Sequence, residues 1–276
     1  MATQEQEQTR NSWNNIAANY DAFVTPKNIV LAEDALRLAG LRPGMRFLDV
    51  AAGSGALSIP AARLGAQVLS VDFAPVMIER LNARAREEGL SGLEAYVMDG
   101  HALDLEDGTF DISGSQNGVS LFPDLPQGLR EMVRVTKPGG RVLIVAFGSL
   151  RKAEFLGFFL GAIQAVAPGF TGLPMDPPPL PFQLADPEKL GQQMVNAGLT
   201  DVRVKTTIWH MEFQTGIEMW DVVTNSNPIG SMLVANLTDE HRTAAQQALD
   251  GMLRERSGGT GRAVLTNEVN VAIGTK

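Results

Sequence analysis

The chain has 276 residues, of which 44% are hydrophobic and 20% are charged, and this composition excludes a disordered or fibrous protein. Its formal net charge of -8 opposes binding to a phosphate backbone, so we expect no nucleic-acid partner. The absence of cysteine excludes disulfides, thiolate zinc sites and chemistry that needs a cysteine nucleophile.

No membrane or secretory signal is recognisable in the sequence. The first residues are polar and lack the apolar stretch of a signal peptide. The most apolar run, FLGFFLGAI at 155–163, has about half the length that a membrane-spanning helix needs. We therefore expect a cytoplasmic protein without a transmembrane segment, present as a monomer or a homodimer.

The predicted elements alternate between strand and helix over the first half of the chain. Residues 28–41 have apolar side chains at helical spacing, and the RPG turn at 42–44 ends this helix. Short apolar runs follow at intervals of helical length: RFLDV, AQVLSVD, LEAYVMD, FDISGS and RVLIVAF. This alternation is typical of an α/β protein with a mainly parallel sheet and helices on both faces.

The second half departs from this alternation after residue 148. An apolar segment and the loop PGFTGLPMDPPPLPF come first, and an amphipathic helix with an Asp cap follows in ADPEKLGQQMVNAGL. The strand DVRVKTTIWHMEF, a helix over 239–256 and a last strand near AVLTNEVNVAIG come next. We interpret the first part as an insertion and the last part as the completion of the sheet.

A turn of small residues follows the first predicted strand. Asp49 ends this strand, and the chain passes through Ala51, Gly53 and Gly55 into a helix. Small residues are needed where a ligand approaches the backbone closely. Asp72 ends the next strand, at a distance suited to an acid that accepts hydrogen bonds from both hydroxyls of a ribose.

The third predicted strand also ends in an acid, Asp99. A glycine turn alone is equally typical of a structural turn without a ligand. Acids at the ends of three successive strands are stronger evidence, because ligands of open parallel sheets bind at the carboxyl ends of the strands.

The motifs LDVAAGSG, VLSVDFAPVM, MDGHALDLEDGTFD and VTKPGGRVLIVAF together resemble the class I S-adenosylmethionine-dependent methyltransferases, especially the ubiquinone/menaquinone-biosynthesis-like (type 11) branch. The resemblance is strong over residues 11–148 and loose beyond them. It implies a Rossmann-like, mainly parallel seven-stranded sheet with helices on both faces and an inserted lid. It also implies S-adenosylmethionine as cofactor and a small molecule as substrate.

The resemblance implies a role for each matching residue. Asp49 would orient the turn and hold the methionine ammonium group through the adjacent backbone or a water, and Gly53 and Gly55 would leave room for the methionine portion. Asp72 would bind the ribose hydroxyls. Ala51 stands where many members of the family have glycine. The other residues would surround the adenine or the amino acid end of the cofactor: Phe73, Met77, Asp99, Gly100, His101 and Asn117.

Two residues are candidates for a catalytic role. Tyr20, in WNNIAANYD, matches a family pattern in which a tyrosine on a leading helix folds over the cofactor; otherwise it caps the edge of the sheet. His210 ends a predicted strand, where it is either a base or substrate-orienting group in the pocket, or a strand-end histidine with a hydrogen bond. A base is needed only when the nucleophile carries a proton that must leave.

Two other functions remain as alternatives. An NAD-dependent oxidoreductase would carry G-x-G-x-x-G after the first strand, but Ser58 stands in place of the third glycine. Such an enzyme also has no use for Asp49 just before the glycines. A catalytically silent cofactor-binding or assembly protein would keep the same cofactor site. We predict a methyltransferase that performs O- or C-methylation.

We divide the chain into a helical cover (1–40), a cofactor-binding core (41–148), an apolar lid (149–184) and a C-terminal part that completes the sheet (185–276). Apolar side chains in and after the lid form either core or a pocket for an apolar or aromatic acceptor. We expect residues 151–182, with 209–220, to form a mobile cover outside the central core. The side chains concerned are Phe155, Phe158, Phe159, Phe170, Met175, Phe182, Trp209, Met211 and Trp220.

Overall fold

The computed structural model describes residues 4–174, 176–225 and 228–276; Met175 of the predicted lid lies outside them. The strands are β1 (Arg46–Val50), β2 (Gln67–Asp72), β3 (Leu93–Val97), β4 (Phe110–Gln116), β5 (Thr136–Phe147), β6 (Thr200–Phe213) and β7 (Ala263–Thr275). The helices are α1 (Gln4–Asn19), α2 (Thr25–Ala39), α3 (Ser58–Arg63), α4 (Pro75–Glu87), α5 (Leu125–Val135), α6 (Glu154–Val166), α7 (Pro187–Asn196), α8 (Gly216–Asn225), α9 (Pro228–Val234) and α10 (Asp239–Arg256).

The strands form one seven-stranded sheet in the order β3-β2-β1-β4-β5-β7-β6. β7 runs antiparallel to both of its neighbours, and the other pairs are parallel. This confirms the predicted α/β class and the mainly parallel seven-stranded sheet. β5 begins at Thr136, five residues before the predicted run RVLIVAF. In this added part of the strand, Gly139 N–H donates a hydrogen bond to the Lys276 carbonyl at 2.8 Å.

Apolar side chains cover both faces of the sheet, which explains the continuous apolar runs of its strands. Phe47 and Leu48 are both fully buried on β1 and belong to clusters on opposite faces, because side chains alternate along a strand. The cluster around Phe47 includes α2, α4, α6, α8 and α10, whereas that around Leu48 includes α5 and α7.

The change of direction in the strand order lies between β1 and β4. From β1 the chain builds outward to β2 and β3, and β4 then returns to the other side of β1. In open α/β sheets, this arrangement leaves a crevice at the carboxyl ends of the two central strands. The segments that begin at Ala51 and Asn117 leave the sheet at this crevice.

Helix α6 corrects the expected extent of the lid. Its residues Phe159, Ala162 and Ile163 are fully buried in the same cluster as α8 and α10, and the ring of Phe159 packs on that of Trp220 at 5.2 Å between centroids. A helix with these contacts belongs to the core. Only the loop after α6 keeps the position expected of a cover.

Within the described residues, no helix combines the length and the apolar character that crossing a membrane requires.

Candidate functional site

Left-handed backbone marks the turn after β1. Ala51 and Gly53 both have a φ of 55°, and Gly55 has a φ of 99°. Alanine is uncommon at positive φ, because its Cβ crowds the backbone. Residues 51–57 are here called the glycine turn. Their backbone conformation favours glycine at positions 51, 53 and 55, and alanine occupies the first of these.

Gly53 and Gly55 need to be glycine for different reasons. A Cβ on Gly53 would lie 3.7 Å from Cε1 of Tyr20, an ordinary contact. A Cβ on Gly55 would lie 2.2 Å from Cδ1 of Leu81 and 3.1 Å from Cγ1 of Ile59. The expectation that Gly55 leaves room for a cofactor is therefore corrected, because protein side chains occupy the space beside it.

We expect Gly55→Ala to lower the free energy of unfolding by about 2–4 kcal/mol, since its methyl group overlaps Leu81 and alanine is strained at positive φ. Urea unfolding followed by circular dichroism measures this loss. Leu81→Ala removes the overlap, so the double variant should lose less stability than the sum of the two single variants. Simple additivity would contradict the packing role.

Asp49 is buried at the end of β1, with 1% of its surface exposed. Its Oδ2 accepts a hydrogen bond of 2.5 Å from Ser58 Oγ, and Ser58 Oγ accepts one of 2.8 Å from Ser70. Its Oδ1 is buried and accepts no hydrogen bond from the described residues. A buried carboxylate oxygen without a donor is costly, so this atom marks a place for a ligand donor.

Asp72 connects the glycine turn to the start of α4. Its Oδ2 accepts a hydrogen bond from Gly53 N–H at 2.8 Å, and its Oδ1 accepts one from Ala74 N–H at 2.9 Å. Each carboxylate oxygen offers a further lone pair. Asp72 therefore shapes the turn and remains able to accept from a ligand.

Burial shifts the titration of both carboxyl groups. It raises the pKa of Asp49 to about 7; hydrogen bonding from Ser58 opposes this shift, and the charge of Asp72 adds to it. Burial also raises the pKa of Asp72 to about 6, against hydrogen bonds from Ala74, Gly53 and Phe73. The main causes of both shifts include no cation among the described residues. Two neighbouring buried carboxylates favour a ligand with a positive charge.

Tyr20 begins a π-helical segment, Tyr20–Val24, which joins α1 to α2. Such segments are frequent at functional sites. Its ring lies beside Gly53 and meets the ring of Trp13 edge-on, at 5.8 Å between centroids. Burial, followed by the charge of Asp72, raises the pKa of Tyr20 to about 12. The hydroxyl therefore stays protonated at neutral pH, which suits a hydrogen-bond donor and excludes a general base.

The predicted adenine edge, residues 99–101, forms a small hydrogen-bonded turn. Asp99 is half-exposed, and its Oδ1 accepts hydrogen bonds from the backbone N–H and the Nδ1 of His101, at 2.9 and 2.8 Å. The His101 ring packs on Phe122 at 4.3 Å between centroids. A Cβ on Gly100 would lie 2.5 Å from Phe122 Cζ, so Gly100 is needed for this packing.

Phe73 and Met77 lie where α1 crosses the start of α4. They share a cluster with Ala17 and Ala74, and Met77 is 1% exposed. Asn14 Oδ1 accepts a hydrogen bond of 3.2 Å from Val76 N–H and ties α1 to this place. Both predicted adenine contacts thus lie beneath the N-terminal helix.

Two asparagines carry further buried oxygens without donors. Asn117 follows β4 with a φ of 56°, and Asn28 lies on α2 with 3% of its surface exposed. Neither side-chain Oδ1 accepts a hydrogen bond from the described residues. Asn28 was not among the predicted site residues. The sequence did contain a signal for it, because Thr25, Asn28 and Leu31 are spaced three residues apart and lie on the buried face of α2, where a polar side chain is unusual.

An apolar cavity opens beside Tyr20. It encloses about 110 Å³. This is somewhat less than the roughly 150 Å³ of an engineered cavity that holds benzene. Its polar end is formed by Tyr20, Asn28 and Asn117, and the rest of its wall is mainly aliphatic and aromatic, including Leu121, Phe147, Phe155, Leu173, Phe182, Trp209, Met211 and Val223.

Comparison with known proteins assigns the central part of this site. Residues 48–144 match the family of methyltransferase domains. The crevice between β1 and β4 thus lies in a part of the chain that is similar to methyltransferase domains.

Similarity to individual proteins extends over part of the chain. An uncharacterized protein of Mycobacterium tuberculosis is 38% identical over 141 residues, 51% of this chain and 49% of that protein. Nocamycin O-methyltransferase of Saccharothrix syringae is 33% identical over 160 residues, 55% of this chain and 57% of that enzyme. The chain thus spans about half the length of the curated relatives that it matches.

Solved structures resemble the chain over more of its length. The cyclase SpnF superposes with a TM-score of 0.53 at 18% identity, over 90% of this chain and 80% of SpnF. This likeness shows the fold alone, since one fold carries many reactions. The residues that match the family of methyltransferase domains include the three acids and Asn117. Tyr20, Asn28 and much of the cavity wall lie outside them.

His210 does not line the cavity. On β6 its neighbours Trp209 and Met211 are buried and line the cavity, whereas His210 is exposed on the opposite face. Side chains alternate between the two faces of a strand, so a histidine between two cavity residues points away from them. The prediction that His210 faces the pocket is wrong.

We therefore expect His210→Ala to retain at least half of the methyl-transfer rate at every pH tested. An exposed side chain on the far face of β6 has no route to the reacting atoms. Steady-state kinetics against pH measure this, with Trp209→Ala as the matched variant on the cavity face, which should lose activity. A large fall in kcat for His210→Ala would return this residue to the site.

Proposed function

We propose that this protein is an S-adenosylmethionine-dependent methyltransferase that acts on a small, apolar or aromatic molecule. The observation that carries the proposal is the buried Asp49 Oδ1, which lacks a donor beside the glycine turn of a methyltransferase domain. A buried anion in this place fits a ligand that carries an ammonium group.

The residues present fit S-adenosylmethionine. Its amino acid end brings an ammonium group for Asp49, and the absence of a side chain on Gly53 keeps the face of the turn open toward Tyr20. The free lone pairs of Asp72 suit the ribose hydroxyls. The unpaired Nε2 of His101 accepts a hydrogen bond from an exocyclic amine, such as that of adenine, when Nδ1 donates to Asp99.

S-adenosylmethionine supplies a methyl group on a sulfonium centre, which is an excellent leaving group. The protein's task is then to align the acceptor and to exclude water. Tyr20 and the loop residues Leu173, Pro181 and Phe182 cover the cavity next to the glycine turn. They exclude water from the place where the acceptor binds.

The wall of the cavity supports an apolar acceptor. The rings of Phe155 and Trp209 lie 6.1 and 6.4 Å from that of Phe147, between centroids, and all three line the cavity. Large polar acceptors would lose their hydration there without compensating hydrogen bonds. O-methylation and C-methylation both remain open on this basis.

Two measurements test the proposal. Isothermal titration calorimetry should show one site per chain for S-adenosylhomocysteine and no competition from NADH. Transfer of labelled methyl groups from S-adenosylmethionine should then appear with members of a panel of phenols, hydroxyquinones and apolar carbon acids. Competition by NADH would favour an oxidoreductase. Cofactor binding without transfer to any acceptor, in the panel or in a cell extract, would favour a silent binding protein.

A further inference from the structure

The polar end of the cavity contains a buried amide that the methyltransferase match does not assign. Asn28 lies on α2, outside residues 48–144, and is 97% buried, being 3% exposed. Its backbone carbonyl accepts a hydrogen bond from Gln116 Nε2 at 3.0 Å, which fixes this turn of α2 against the end of β4. The position of Asn28 is therefore set by the scaffold.

The two polar atoms of the Asn28 side chain differ in their surroundings. Its amide lies close enough to the Tyr20 hydroxyl to lower the pKa of Tyr20, which is the effect of a donor and so of the amide nitrogen. Its Oδ1 is buried in the cavity wall and accepts nothing from the described residues. An amide oxygen in this state requires a donor from whatever enters the cavity.

We infer that Asn28 determines acceptor specificity by receiving a hydrogen bond from a hydroxyl group on an otherwise apolar, ring-sized acceptor. The inference rests on the proposed function and adds the chemical class of the substrate to it. A site built to pair with a hydroxyl strongly rejects an analogue that lacks it, because the buried oxygen of the protein then stays unpaired.

Among the polar groups that line the cavity, Asn28 is the one that we expect to accept the hydrogen bond from the hydroxyl of the acceptor. Tyr20 stays protonated and acts as a donor, so it recognises an acceptor oxygen without requiring that oxygen to carry a proton. Asn117 also has a free Oδ1, but it belongs to the segment that leaves β4 beside Ala51, at the expected cofactor crevice. Asn28 belongs to α2 and lines the cavity.

Phenol and toluene test the inference, because they have nearly the same shape and differ in a hydroxyl. Each is titrated by NMR into the full-length protein saturated with S-adenosylhomocysteine, whose binding is first established by calorimetry. We expect phenol to bind at least tenfold more tightly than toluene. Equal affinities, or binding of neither probe, would overturn the inference while leaving the proposed function intact. Failure of S-adenosylhomocysteine to bind would instead overturn the proposed function.

Two variants test whether the preference for phenol over toluene depends on the Asn28 side chain. Asn28→Leu should bind toluene at least as tightly as phenol. Asn82→Leu is the matched control, since it makes the same substitution on α4, where the Asn82 amide donates to the Ala95 carbonyl at 3.2 Å and does not line the cavity. It should keep the preference for phenol. A preference that survives in a folded Asn28→Leu, or that disappears in a folded Asn82→Leu, would contradict the role of Asn28.

Discussion

Asp49→Asn is expected to weaken binding of S-adenosylmethionine by about 100-fold, because a lost charged hydrogen bond costs about 3 kcal/mol. The asparagine still accepts from Ser58, but it places either a neutral oxygen or an NH₂ donor where Asp49 Oδ1 now lies. Neither compensates the ammonium group of the ligand. Calorimetry at pH 8, where the carboxyl group is ionised, measures the loss.

The same substitution should make the free protein more stable at neutral pH. Burial raises the pKa of Asp49 from its ordinary value near 4 to about 7 in the folded chain, so the folded state binds the proton more tightly than the unfolded state. Stability contributed by this group therefore falls as pH rises from about 4 to about 7. Asp49→Asn removes this fall, and we expect a gain of about 1–2 kcal/mol above pH 7 and little change near pH 4.

Asp111→Asn provides a matched control at the opposite end of the sheet. Burial there tends to raise the pKa of Asp111, but hydrogen bonds from Lys137 and from Arg46 N–H outweigh it and hold the pKa below its usual value. This variant should lose stability at neutral pH and keep its affinity for S-adenosylmethionine. If Asp49→Asn behaves like Asp111→Asn in both measurements, Asp49 has no ligand-binding role.

Gly53→Val should abolish measurable binding of S-adenosylmethionine and leave the fold intact. A Cβ at this position already reaches 3.7 Å from Tyr20, so the two methyl groups of valine occupy the space between the glycine turn and the Tyr20 ring. The backbone strain of valine at a φ of 55° adds a stability loss of about 1–2 kcal/mol. Calorimetry and thermal unfolding separate the two effects.

Gly89→Val isolates the backbone strain. Gly89 has a φ of 66°, and a Cβ there would meet nothing within 4 Å. This variant should lose about the same stability as Gly53→Val, since the strain is similar, and retain the parent affinity. Parent-like affinity in Gly53→Val would show that the glycine turn is only a structural turn.

The local elements of the fold were predictable because their signals lie within short windows of sequence. α10 spans the predicted residues 239–256, with Thr238 accepting from His241 N–H as its cap. β1 coincides with RFLDV, whose apolar run reflects burial on both faces. The acids that end β1 and β2 were visible as an acid after an apolar run, and both prove buried.

Residues whose roles depend on tertiary contacts were not predictable in the same way. The face of β6 that bears His210 depends on the register and direction of an edge strand, and a shift of one residue reverses it. The requirement for glycine at Gly55 comes from Leu81, which is distant in sequence. An apolar helix such as α6 has the same sequence pattern whether it packs in a core or covers a pocket.

Asn28 illustrates a third case. The sequence places a polar residue on the apolar face of a helix, but it does not show whether that side chain has a hydrogen-bonding partner. One buried polar residue on a helix is usually satisfied by a neighbour, and only the structure shows that its Oδ1 accepts nothing from the described residues. The cavity that Asn28 lines is built from α2, β6 and the loop after α6. These segments are distant in sequence, so no single motif predicts that they meet.

A crystal structure with S-adenosylhomocysteine tests the central claim most directly, because it locates the ammonium group of the ligand relative to Asp49. We predict that the ammonium nitrogen lies within about 3.2 Å of Asp49 Oδ1, or is joined to it by one water, with the ribose hydroxyls on Asp72. We also predict that the sulfur faces the cavity that Tyr20, Asn28 and Asn117 line. A ligand bound outside the crevice between β1 and β4, or one whose ammonium group has no contact with Asp49, would contradict this claim.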